Sequence, residues 1–189
     1  MVRTPATRGA SGLTSSFFKP VLYALLAGNA VYFSVAGTLS KAIDACAWLA
    51  LLALYEAELR SWTTWISARR RNALRAARLA AGAGVIAATV GYVFENNALD
   101  ALNSALWIAV VILLEIEVRW PRVVERSRVA FSAIAVTLYG SLAALVLAWA
   151  FRNAWMDAYD ALLWLVAFAT IELNVLANKT AAAAPTMER

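Results

Sequence analysis

Apolar residues run along this chain in six long blocks, separated by short polar and charged stretches, and the blocks are too long for buried strands. They predict six helices, at about Val21 to Ser40, Ala42 to Trp65, Leu79 to Phe94, Ala98 to Trp120, Val129 to Phe151 and Ala154 to Ala177. Pro121 ends the fourth, because proline has no N–H with which to continue a helix. The first, third and fifth blocks hold no charge and approach the roughly 20 apolar residues that a bilayer core requires. The second, fourth and sixth are interrupted by carboxylates. Only about 11 to 14 residues separate their outer Asp or Asn from the first Glu, about 18 Å at 1.5 Å per residue.

The even-numbered blocks are copies of one another. DACAWLALLALYEAE from Asp44, NSALWIAVVILLEIE from Asn103 and DALLWLVAFATIELN from Asp160 align without gaps. One column reads Asp44, Asn103, Asp160; the next Trp48, Trp107, Trp164; a third Glu56, Glu115, Glu172; a fourth Glu58, Glu117, Asn174. Phe33, Tyr92 and Trp149 each lie eleven residues before the first column, so the repeating unit is a hairpin of two helices. Each unit crosses twice and keeps its orientation, which allows a pseudo-threefold axis along the membrane normal. Gly82, Gly84, Ala87, Ala88 and Gly91 give the third helix a small-residue face for close packing.

Composition agrees with a membrane protein: 62% of the 189 residues are hydrophobic and 15% charged, with a mean hydropathy of +0.66. The net charge of +5 has a topological origin. Arg3, Arg8 and Lys19 precede the first helix, Arg69, Arg70, Arg71, Arg75 and Arg78 link the second to the third, and Arg119, Arg122, Arg126 and Arg128 link the fourth to the fifth. The opposite loops hold only Lys41 and Arg152 among basic residues, together with most of the outer acids, so the positive-inside rule puts both termini in the cytoplasm. A nucleic-acid partner is not expected, since no solvated basic face remains to bind one. Cys46 lies alone in an apolar helix and reads as a small hydrophobe. Histidine is absent, which removes the commonest metal ligand and general base.

The charges set the candidate sites. Glu56 and Arg60, and likewise Glu115 and Arg119, stand at i and i+4, the spacing of a helical ion pair. In the third copy Leu176 replaces the arginine, so Glu172 has no partner one turn on. An intramembrane carboxylate without a partner is a candidate proton or cation site, with Glu56 and Glu115 at matching depth, or an interhelical tie to Arg60 or Arg119. Asp44, Asp100, Asp157 and Asp160 lie near the starts of even-numbered helices, where they suit caps, or, as a group, an outer acidic vestibule. Trp62, Trp65, Trp120 and Trp155 fit an aromatic belt at the membrane boundaries. Trp48, Trp107 and Trp164 lie deeper and read as packing between repeats, a cation–π cage being the functional alternative.

The expectation is an all-α integral membrane protein of six transmembrane helices, arranged as three parallel hairpin repeats (about 21–66, 79–120 and 129–178) within one membrane domain, 17–178. Short cytoplasmic tails, 1–16 and 179–189, flank it. An inner membrane is the expected location and the lipid bilayer the first partner, with a homo-oligomer or larger membrane complex as a second. No catalytic constellation, metal cluster or phosphate loop is present, so neither an enzyme nor a cofactor is expected. Two functions follow: a small transporter or channel for a proton or cation, or a non-catalytic membrane scaffold or accessory subunit.

Overall fold

A computed structural model describes residues 11–61 and 67–183, with side chains described over 18–58, 67 and 69–170. The described residues are helical apart from short turns: α1 (Ser11–Ala36), α2 (Leu39–Ser61), α3 (Ala68–Phe94), α4 (Ala98–Arg119), the short α5 (Pro121–Arg126), α6 (Arg128–Phe151) and α7 (Trp155–Ala183). Four helices among them are long and apolar enough to cross a membrane, at Phe18–Ala36, Arg69–Phe94, Ala98–Arg119 and Arg128–Phe151. The charges of α2 leave it a shorter apolar run, although it is 23 residues long, and the 29-residue α7 is described with side chains only over 155–170. Large apolar side chains such as Val35, Leu79, Phe94, Val129 and Phe151 stand outward and exposed. Such a surface suits lipid and not water.

Two helices begin earlier than their apolar blocks. α1 starts at Ser11 and takes Pro20 into its interior, so part of the expected amino-terminal tail is helical. α3 starts at Ala68 and carries Arg69 to Arg78 as its own first turns. Alanine and arginine are strong helix formers, and Ser67 caps the segment by accepting from the Arg70 N–H. Pro121 ends α4 as expected and opens α5, where its missing N–H costs nothing.

The six long helices close a ring in the order α1, α2, α3, α4, α6, α7, with α7 returning to α1. Side chains of α2, α4 and α7 meet at the centre, and α1, α3 and α6 each lie between two of these three. Leu22, Leu26, Leu52, Trp107, Val110, Leu142, Leu163, Trp164 and Ala167 form the main core. At one end tight turns join α1 to α2, α3 to α4 and α6 to α7. Asn96 and Asn153 adopt left-handed backbone in the second and third of these turns, with φ of 56° and 58°. Asparagine tolerates that conformation, and the following N–H reaches back to Tyr92 O or Trp149 O.

Packing of α2 on α3 is close because Gly84 and Gly91 face it. A Cβ at Gly91 would stand 2.2 Å from the Ser40 hydroxyl, and one at Gly84 would stand 3.2 Å from Ala47 Cβ. Between α3 and α4, the Thr89 and Ser104 hydroxyls are 2.7 Å apart, with Ser104 fully buried. Thr89 gives its proton to Val85 O at 2.8 Å, so Ser104 is the donor between the two.

Candidate functional site

Each of the three central helices carries the same ladder. Positions i, i+3 and i+7 read Lys41, Asp44, Trp48 on α2; Asp100, Asn103, Trp107 on α4; and Asp157, Asp160, Trp164 on α7. At 100° per residue these positions fall within about 60° of one face, at depths of about 0, 4.5 and 10.5 Å. All nine side chains line one cavity of about 40 Å³ at the turn-bearing end of the ring. Phe33, Tyr92 and Trp149 add the walls from α1, α3 and α6.

The upper level is an ion cluster. Lys41 Nζ donates to Asp157 and lies 3.2 Å from Asp100 Oδ2, with the Phe33 ring centroid 5.5 Å away. Asn97 caps α4, accepting from the Asp100 N–H and donating its own amide to the Asp100 carboxylate. The middle level holds Asp44, Asn103 and Asp160. Tyr92 OH donates to Asp44 Oδ2 at 3.2 Å, and the buried Asn29 amide donates to Asp160 Oδ1 at 2.9 Å. Asp44 Oδ1 and Asn103 Oδ1 are buried and receive no well-formed hydrogen bond among the described residues. Trp48 forms the floor with Trp107 and Trp164, at centroid distances of 6.4 and 6.2 Å, and Phe168 packs 4.7 Å from Trp107. Four carboxylates thus share one lysine over an aromatic base. Among the described residues, no three His, Cys, Asp or Glu side chains come close enough to hold a metal ion.

Outside the mouth, Glu95 ties the first turn to the second. It accepts from the Ser40 and Thr38 hydroxyls at 2.6 and 2.8 Å. These bonds, Ser40's first, hold its carboxyl below the usual range.

The acids expected as helix caps, or as a group at an outer vestibule, line the cavity together, with Asp100 and Asp157 in the first turns of α4 and α7. α2 and α7 begin at Leu39 and Trp155, so Asp44 and Asp160 lie in the second turn and point into the cavity, and the cap of α4 is Asn97. With Asp100 and Asp157 they form one group. Glu56 and Glu115 are not brought together in this way. Glu56 accepts from Tyr23 OH at 2.6 Å and lies 3.7 Å from Lys19 Nζ, between α1 and α2. Glu115 pairs with Arg119 at an exposed helix end, where the two side chains are 53% and 65% exposed. Glu58 pairs with Arg78 of α3. The side chains of Glu172 and Arg60 lie outside the described residues, as do Trp62 and Trp65. Trp120 and Trp155 are exposed at opposite ends of the ring, as belt positions are.

Lys41, Tyr92 and Asn29 complete the site without having been singled out for it. The signal for Lys41 is its register, three residues before Asp44, which matches Asp100 and Asp157. Tyr92 belongs to the Phe33 and Trp149 column. Asn29 aligns with Ala88 and Leu145 in the other copies, so no repeat marks it. Comparison with protein-family models, curated proteins and solved structures finds no match for this chain.

Proposed function

We propose that this chain is a six-span inner-membrane protein, built from three parallel hairpins about a pseudo-threefold axis with both termini in the cytoplasm, and that it carries a proton or small cation across the bilayer. The site of uptake is the acidic cavity at the outer end, in place of the glutamate column. The observation that carries this reading is the pair Asp44 and Asp160, turned into the ring one level below its mouth, with a buried Asp44 oxygen that no well-formed hydrogen bond satisfies among the described residues. Burial of a carboxylate is costly enough that an occupant, a proton or a cation, is the ordinary remedy.

One feature favours the second reading, a non-conducting scaffold or accessory subunit. Below the cavity the axis is filled by the three indoles, Phe168 and the leucine core, so passage requires those rings to move. Purified protein in liposomes separates the two. The carrier dissipates an imposed proton or cation gradient, and Asp44→Asn with Asp160→Asn abolishes this while helical content is kept. A gradient that wild-type protein leaves intact, together with a protein partner retained on gentle extraction, refutes the carrier.

A further inference from the structure

We propose that the cavity recognises a primary ammonium group, for which Lys41 is a tethered stand-in at its mouth; this rests on the cavity being the site of uptake. The recognition chemistry is already displayed. The Lys41 ammonium is held by two carboxylates, Asp100 and Asp157, beside the face of Phe33. One level down the same ingredients recur without an ammonium of their own. Asp44 and Asp160 supply the charge, Asn103 Oδ1 a neutral acceptor, and Trp48, Trp107 and Trp164 the aromatic surface.

Two buried oxygens at that level, Asp44 Oδ1 and Asn103 Oδ1, receive no well-formed hydrogen bond among the described residues, the Trp48 indole lying near Asp44. An alkylammonium has three N–H donors, and its charge is attracted by indole faces. A metal ion fits less well, because no three anionic or imidazole ligands converge among the described residues. Size narrows the class further. About 40 Å³ is room for a few water-sized groups, at about 10–15 Å³ each. That admits a methylammonium head and excludes a quaternary one. Lys41 is 17% exposed and Asp157 19%, so the tethered ammonium stands where an incoming one must pass.

The test is titration of the full chain in phosphatidylcholine nanodiscs, followed by tryptophan emission, with methylammonium, sodium or tetramethylammonium chloride at constant ionic strength. Methylammonium is expected to give a saturable change at concentrations at least tenfold below the other two. Asp44→Asn should weaken it at least tenfold, and Lys41→Met should strengthen it about tenfold by freeing Asp100 and Asp157. Should Asp44→Asn fail to fold, Asp160→Asn and Lys41→Met carry the same test. Nanodiscs containing phosphatidylethanolamine distinguish the source of the group: suppression of the response there identifies a lipid head group, and an unchanged response a free amine. Equal responses to sodium and methylammonium, no response at all, or indifference to the aspartate and lysine variants overturn the assignment. Binding without flux would sink the carrier and leave the ligand class standing; proton flux without methylammonium binding would do the reverse.

Discussion

Replacing Lys41 by Met keeps most of the side chain's apolar bulk and removes the one cation of the cavity. Its ammonium contacts Asp100 and Asp157, and the three side chains are 17%, 8% and 19% exposed. Removing one partner of a buried ion pair costs about 3–5 kcal/mol, because the remaining charge is left desolvated. Access to solvent at the mouth argues for the lower end, about 3 kcal/mol, or roughly 150-fold in the folded-to-unfolded ratio. The cost should be recoverable. Adding Asp100→Asn and Asp157→Asn to Lys41→Met removes the stranded charges and should return stability to within about 1 kcal/mol of wild type. Unfolding in mixed micelles of rising denaturing-detergent content, followed by helical circular dichroism, measures both. A single variant within about 0.5 kcal/mol of wild type, or a triple variant no better than the single, would refute the view of Lys41 as the buried counter-ion of this cluster.

Three further outcomes follow from the packing and the rim. Gly91→Ala should destabilise by about 1–3 kcal/mol, since its Cβ would collide with Ser40, whereas Gly82→Ala, with open space around it, should be neutral or stabilising in the same unfolding assay. Glu95→Gln should lower the thermal midpoint near neutral pH. Because the carboxyl's pKa is depressed in the fold, its stabilising effect is present above the ordinary glutamate range and fades as pH falls through the depressed value, so wild type and variant should converge in acid. Glu115→Gln, in an exposed i,i+4 pair, should change stability by less than about 0.5 kcal/mol and leave liposome flux unaltered.

The repeat made most of the cavity legible before any coordinates: the Asp44, Trp48 and Phe33 columns all line it. The role of its acids was harder to read, because an Asp near a helix start suits a cap equally well, and only the turn geometry put Asn97 in that place. The glutamate column shows what alignment alone cannot give. Glu56 follows Asp44 by twelve residues, about 120° round the helix, so a face that turns Asp44 inward turns Glu56 toward a neighbour. There it meets Tyr23 and Lys19; in the second copy those positions are Gly82 and Arg78, and Arg78 pairs with Glu58, leaving Glu115 to Arg119 of its own helix. Helix starts were misplaced where apolar periodicity stopped but backbone propensity did not, as along Arg69 to Arg78. Among the described residues, four of the six expected crossings have the length and hydropathy to stand by themselves; α2 does not, because Lys41, Asp44 and Glu56 interrupt it.

The hydrogen bond from Asn29 to Asp160 joins residues 131 positions apart, from the first long helix to the last. Synthesis and membrane insertion therefore deliver one partner long before the other. Until α7 arrives, the Asn29 amide has no aspartate to meet and the cavity lacks Asp157, Asp160 and Trp164, a third of its ladder. The cavity is thus a property of the whole ring, and an interrupted product would display to the bilayer a polar amide that the closed ring conceals.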